Sequence, residues 1–318
     1  MLIIGIVLLA SFSFVQYNAL NQLSGEQTAL QSKYNQLLSF SASTDKAISF
    51  LRDVIQLDLA KYEATLLSNT VDHPSDLDGV TEQILRYSLT SSDSKLDVVL
   101  RFRNNMLSKY EVFLLGGSPI YAGPQPYGVL DSATYLLRKL KSYEDAPYLT
   151  EMSSIIAPFT QANSIEMTQG NLKFNVSISG INTEIEWLYT ENGVDFPQKG
   201  LKFSFENQIL KELNDGYFLF KIGSTKVTVD REGAIQIARN AAKDLTWTAN
   251  GEVSHYNVLQ DPVSAVFQPI PREDPLALIP CWDVTLYLDN IYPGNVNRIV
   301  VIIWADTGKI EKIKLING

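Results

Sequence analysis

Phe102-Arg103-Asn104-Asn105-Met106-Leu107 returns further along the chain as Phe205-Glu206-Asn207-Gln208-Ile209-Leu210. Each copy leads through a short apolar run into a helix-like stretch with a matching start. The first begins Asp131-Ser132-Ala133-Thr134-Tyr135-Leu136-Leu137-Arg138, the second Glu232-Gly233-Ala234-Ile235-Gln236-Ile237-Ala238-Arg239. Phe102 to Ala133 is 31 positions (133 − 102) and Phe205 to Ala234 is 29 (234 − 205). A strand-plus-helix unit matched at both ends marks an internal duplication, because a repeat is one supersecondary unit used again. Within the motif the Phe, Met, Ile and Leu side chains suit a core, and the Asn positions suit a turn.

Around the first copy, residues 84–89, 96–102 and 110–115 alternate or are rich in β-formers, which predicts strands. The helix expected over 131–142 puts Ala133, Leu136, Leu137 and Leu140 on one face. Residues 121–127 combine Tyr and Pro, so they read either as a peptide-binding lip or as the cover of a sheet edge. Around the second copy, strands are expected at 172–178, 183–189, 201–205 and 217–222, continuing into 226–229. Asn192-Gly193 supplies the positive φ of a tight hairpin. A helix over 231–245 turns Ala234, Ile237, Ala238 and Ala241 inward. Prolines at 262, 269, 271, 275 and 280 keep residues 262–280 extended. Strands at 281–288, 298–304 and 310–316 close the chain, the last two around Ala305-Asp306-Thr307-Gly308.

The N-terminal seventy residues read differently. Residues 2–15, LIIGIVLLASFSFV, carry no charge. Extended to Leu20 they reach about 28 Å as a helix, close to the ~30 Å hydrocarbon core. An uncleaved anchor, a cleaved signal and a buried helix all fit. The absence of a basic start and of a small-x-small site favours the anchor. Leu20, Leu23, Gln27, Leu30, Tyr34 and Leu37 then fall at alternating spacings of three and four, a heptad seam. Ile48, Leu51, Ile55 and Tyr62 resume the register. Residues 20–37 read as a helical stalk able to dimerise. For residues 44–67, a stalk and an amphipathic helix folded back on its own domain fit equally. Residues 71–79, with Asp72, His73, Pro74, Asp76 and Asp78, make a turn-rich break.

Apolar residues make up 45% of the 318 and charged residues 19%, a globular composition with a core large enough for about two domains. The net charge of −9 and the lack of any basic stripe exclude a nucleic-acid partner. Catalytic inventory is poor. His73 and His255 are the only histidines, and no phosphate-binding loop, dinucleotide fingerprint or serine-hydrolase elbow occurs. The single cysteine, Cys281, excludes an internal disulfide. It would need His255 beside it to act as a nucleophile, and a buried structural thiol is the favoured reading. The aspartates and His73 of the break lack calcium-loop spacing and read as a solvated linker. No catalytic, cofactor-binding or metal residue is assigned.

The start Arg231-Glu232-Gly233-Ala234-Ile235-Gln236-Ile237-Ala238 resembles the opening helix of a PepSY-type module. So do the later Trp282-Asp283-Val284-Thr285-Leu286 strand and Val300-Val301-Ile302-Ile303-Trp304-Ala305-Asp306-Thr307-Gly308-Lys309-Ile310. The resemblance covers about residues 228–318, with a degenerate copy over about 95–190. It implies modules like those in peptidase propeptides and membrane-anchored spore-germination proteins, which inhibit, chaperone or bind peptidases. The expected fold is α+β: a membrane anchor (1–20), a helical stalk (21–70) and two PepSY-like modules (71–168 and 169–318). Each module is expected as an antiparallel sheet with one packed helix. The expected role is a non-catalytic, extracytoplasmic binding module on a single membrane pass, acting on a peptidase or another envelope protein. A pilin-like or surface-layer subunit is the alternative. No cofactor is implied.

Overall fold

The computed structural model describes residues 45–77, 79–249, 252–253 and 255–318. The expected membrane segment (1–20) and the start of the expected stalk (21–44) lie outside them. Among the described residues, no helix is long and apolar enough to cross a membrane.

Both motif copies are hairpin turns. Strands β1 (Glu63–Asp72), β2 (Glu82–Thr90), β3 (Ser94–Arg103) and β4 (Met106–Gly117) form an antiparallel meander. The turn between β3 and β4 is Asn104-Asn105, with φ of 45° and 66°. Two positive φ values in a two-residue loop match the right-handed twist of the strands, and Asn tolerates them. The second meander comprises β5 (Ile165–Gln169), β6 (Leu172–Ser179), β7 (Asn182–Glu191), β8 (Val194–Glu206) and β9 (Ile209–Asp215). Asn207 and Gln208, at φ 49° and 66°, turn β8 into β9. The likeness extends to a register shift two pairs beyond each turn, between Arg101 and Phe102 in one copy and between Ser204 and Phe205 in the other.

These meanders do not form two separate sheets. They join through β4 and β9 into one nine-stranded sheet of order β1-β2-β3-β4-β9-β8-β7-β6-β5. The joint pairs Lys109 with Asn214, Tyr110 with Leu213 and Glu111 with Glu212. Adding the motif offset (205 − 102 = 103) to 109, 110 and 111 gives 212, 213 and 214. The operation that carries one copy onto the other therefore carries this pairing onto itself, as a twofold axis would.

This corrects the expected plan of two PepSY-like modules, each an antiparallel sheet with its own helix. Helices α1 (Val129–Glu144) and α2 (Tyr148–Ile156) both pack on the shared sheet, and α2 has no counterpart in the sequence reading. Helix α3 (Arg231–Lys243), which follows the second motif copy, leaves that sheet and covers a different one. The stalk reading fails over its described part. Residues 45–49 and the π-helix Phe50–Val54 bury Ala47, Phe50, Leu51 and Val54 in the sheet's core. The chain then breaks at Gln56 (φ 61°), and residues 63–72 run as edge strand β1. Among the described residues nothing continues the heptad seam as a coiled coil. Its described positions Leu51, Ile55 and Tyr62 are buried in the sheet's core, where Phe50 packs 5.5 Å from the Tyr110 ring and 5.6 Å from that of Tyr143.

Strict alternation decides which sheet face is buried. β3 buries every second residue from Ser94 to Phe102. In the second half, Phe174, Trp187 and Phe203 form an aromatic chain with centroids 5.2 and 5.5 Å apart. Each such ring removed from water is worth about 2–3 kcal/mol. The opposite face is polar and studded with ion pairs, including Arg103–Glu82 at 2.8 Å and Lys173–Asp195 at 2.8 Å. At its centre Lys109 lies 3.0 Å from Glu111 and 3.1 Å from Glu212, separating two carboxylates that the register places opposite each other.

The C-terminal unit contains the short strands β10 (Lys221–Ile222), β11 (Trp247–Thr248) and β12 (Glu252–Val253), and the long strands β13 (Val258–Pro271), β14 (Ala277–Tyr292), β15 (Val296–Trp304) and β16 (Ile310–Asn317). The Pro-rich stretch is extended, as expected, and supplies β13 and the start of β14. Helix α3 starts at Asp230, whose side chain accepts from the Gly233 amide at 2.8 Å. Ala234 and Ala238 are fully buried against Val284, Leu286, Ile299 and Val301, small enough to let helix and sheet approach. Trp282 donates from Nε1 to the Val229 carbonyl at 2.9 Å. Arg272 pairs with Asp306 at 2.6 Å and lies 4.6 Å from the Trp304 ring centroid. The motif residues of this unit thus have packing roles. The two units meet where Val194 and Phe196 of β8 pack on Leu278 of β14.

Candidate functional site

The residues with catalytic potential are dispersed. Cys281 is buried, with Sγ 3.2 Å from the Ile303 carbonyl, and burial pushes its thiol up to about 12. A thiol held protonated is no nucleophile at neutral pH. His255 is exposed on the chain entering β13, and His73 is exposed between β1 and β2. The Asp72 carboxylate accepts from the His73 amide at 2.7 Å. Asp78 lies outside the described residues. Among the described residues no group of three His, Cys, Asp or Glu is arranged to hold a metal.

A groove forms where the second motif copy, the start of α1 and the Tyr/Pro loop converge. The loop is pinned from below. Asp58 donates its amide to the Ile120 carbonyl at 2.9 Å, and Ala122 donates to the Gln56 carbonyl at 2.9 Å. Tyr62 accepts from the Ile120 amide at 2.8 Å and hydrogen-bonds Ser94 at 2.9 Å. So held, Tyr121, Gln125 and Pro126 stand as one wall of a cavity of about 180 Å³. Its floor is apolar: Val54, Ile55, Leu136, Phe205 and Leu210. Asn207 and Gln208, the turn of the second motif, form the far rim, and Ser132 and Tyr135 the near one. A second, shallower cleft of about 480 Å³ continues along α1 and shares Pro126 and Tyr135. It adds Asp131, Thr134, Arg138 and Lys141 from α1, with Thr150 and Ser153 from α2. Arg138 and Lys139 stand 5.1 and 5.5 Å from the Tyr135 ring centroid, a cation–π arrangement that holds the ring upright. Tyr127 is 90% exposed beside it.

Apolar floor, aromatic and proline walls and a few polar rim groups are the make-up of a recognition site rather than of a reaction centre. A third concavity, on the open sheet face, mixes Arg101, Arg103, Glu186 and Lys202 with Pro197 and Phe220. Its cations are already engaged, Arg103 and Arg101 by Glu82 and Lys202 by Glu184. Sequence reasoning flagged the 121–127 loop but missed its partners. Tyr135 and Arg138 occupy ordinary helix positions, half-buried and exposed, and Asn207 and Gln208 read only as a turn.

One further group stands out. Asp215, at the end of β9, is buried, and desolvation raises its pKa from the usual aspartate range to about 7. Its carboxylate accepts from Tyr148 at 2.6 Å and from the Tyr217 amide at 2.9 Å. The Tyr148 and Tyr217 rings stack at 4.7 Å. Lys199 lies 4.4 Å from the Tyr217 ring, and burial lowers its pKa. These bonds tie α2 to the chain leaving the nine-stranded sheet.

No protein-family model matches the chain, and no curated protein matches it. Among solved structures it is similar to the Bacillus megaterium YpeB C-terminal domain, at 13% identity and a TM-score of 0.35. That alignment covers 87% of this chain and 97% of the other.

Proposed function

We propose that this chain is a non-catalytic binding module, which holds an extended segment of another envelope protein in the groove beside the second hairpin. The apolar stretch 2–15 tethers it to the membrane, leaving the sheets outside the cytoplasm. The observation that carries the reading is the groove itself. Its floor and rims come from a sheet hairpin, the π-helix segment and α1, all packed in one core, so the site is largely preformed and costs little ordering on binding. A peptidase is the partner class that the sequence resemblance suggests.

The test is site-specific photo-crosslinking in cells. A benzophenone amino acid at Gln208 is expected to trap one discrete envelope protein, whereas the same group at Lys95, across the sheet, traps none. Trapping from Lys95 and not from Gln208 would overturn the assignment of the groove. Deleting residues 1–20 is expected to move the chain out of the membrane fraction, and retention there would remove the tether.

A further inference from the structure

The approximate twofold gives the groove a counterpart, and the counterpart is filled from within the chain. At the first hairpin the Leu107 amide donates to Glu144 Oε1 at 3.0 Å. On the other side of that turn, Lys46 Nζ donates to the Asn105 carbonyl at 2.7 Å. A carboxylate from α1 and an ammonium from the helix before it thus close the turn. The offset of 103 takes Leu107 to Leu210 and Asn105 to Gln208, and both of these line the groove. Among the described residues no side chain does at Leu210 what Glu144 does at Leu107.

Charge points the same way. Along the continuation of the groove, Arg138 and Lys141 line a cleft that holds one carboxylate, Asp131. Neither cation makes an ion pair among the described residues, and Arg138 lies against the Tyr135 ring, 5.1 Å from its centroid. Such cations favour an anionic partner and steer its approach.

We propose that the occupant of the groove is an acidic extended peptide. One carboxylate meets the Leu210 end as Glu144 meets Leu107, further acids lie along Arg138 and Lys141, and apolar side chains rest on Val54, Leu136 and Phe205. A carboxylate accepting from a backbone amide is a charge-assisted bond, and Arg138 offers a planar fork to a second one. The inference rests on the groove being the binding site and adds the chemistry of what it takes.

The test uses the full chain in detergent and three fluorescein-labelled decapeptides followed by polarisation. The first is Gly-Ser-Glu-Leu-Pro-Glu-Phe-Glu-Ser-Gly, and the other two carry Gln or Lys in place of every Glu. The acidic peptide is expected to bind at least about tenfold more tightly than the Gln peptide, with the Lys peptide weakest. The double variant Arg138→Glu/Lys141→Glu is expected to abolish that preference. The milder Arg138→Gln/Lys141→Gln pair, at exposed helix positions, gives the same reading should charge reversal disturb folding. Equal binding of all three peptides, blocked by a crosslink at Gln208, would overturn the acid preference and leave the groove reading standing. Binding of none would overturn both. Capture by phosphatidylglycerol vesicles, lost in the double variant and without any peptide preference, would assign the cations to a lipid surface and overturn the proposal.

Discussion

Replacing Asp215 by Asn is expected to change how stability depends on pH. The carboxyl is buried, with a folded pKa of about 7 against an ordinary 3.8. Because the folded pKa is raised, the native state binds the proton more tightly than the unfolded chain. Stability is therefore greatest below pH 4, falls as pH rises toward 7, and is flat above. Each tenfold difference in proton affinity between the two states is worth about 1.4 kcal/mol. Between pH 5 and 8 the group therefore removes about 2–3 kcal/mol, nearly all of it over the hundredfold fall in proton activity from pH 5 to pH 7. Asn mimics the protonated acid. Its Oδ1 still accepts from the Tyr217 amide, and its Nδ2 donates to Tyr148, whose hydroxyl then acts as acceptor. The neighbouring Glu144, Lys199, Tyr148 and Tyr217 are the same in both proteins, so their titrations largely cancel in the difference. Urea unfolding of both at pH 5 and pH 8, monitored by tryptophan fluorescence, is the assay. Asp215→Asn is expected to be more stable than the parent at both pH values, by about 2–3 kcal/mol more at pH 8 than at pH 5. A variant destabilised equally at both pH values would refute the reasoning. It would show that the charged form is as well satisfied in the fold as in water.

Gln208 sits at φ 66°, where a Cβ is strained, so Gln208→Gly is expected to stabilise the sheet by about 0.5–1 kcal/mol in urea unfolding. Trp187 is fully buried and its Nε1 has no hydrogen-bond partner among the described residues. Trp187→Phe should therefore cost only about 1–2 kcal/mol, against about 3–5 for Trp187→Ala. Equal costs for the two would show that the indole N–H is satisfied after all. Cys281 should resist a thiol-specific disulfide reagent at pH 8 in the native protein and react on unfolding, since burial keeps it protonated. Rapid reaction of the native protein would place the thiol at a mobile or open edge.

Local chemistry was legible where one short stretch decides the outcome. The Asn104-Asn105 and Asn207-Gln208 turns, the Asn192-Gly193 hairpin at φ 53° and 77°, and the amphipathic face of α1 form as their residues indicate, whereas α3 buries Ile235 and Ala242 beside Ala234 and Ala238 and leaves Ile237 and Ala241 half-buried. Period-two alternation at 96–102 likewise gives β3. What did not follow is the association of these pieces. Nothing local in the Lys109–Glu111 or Glu212–Asn214 stretches says that the last strands of two repeats pair with each other rather than close two sheets. The stripe Ile48, Leu51, Ile55 and Tyr62 fits a heptad as well as it fits a short core helix. Only the break at Gln56 and the docking of Phe50 on Tyr110 separate the two. Helix α2 was missed because Ala146-Pro147 and the Ser153-Ser154 pair look like loop. The groove was half visible, in the Tyr and Pro of one wall. Its other wall belongs to residues about eighty positions away.

The seam between β4 and β9 also bears on how the chain reaches this fold. Every other ladder of the nine-stranded sheet joins strands adjacent in sequence, so each half is a meander closed by short loops. Short loops cost little closure entropy, and contacts of low sequence separation form fast. The seam instead brings together Tyr110 and Leu213, and does so over three residue pairs. Its entropic cost is recovered only once both halves present finished edges. Assembly of this sheet thus resembles the meeting of two subunits that share one chain, with the linker setting their effective concentration.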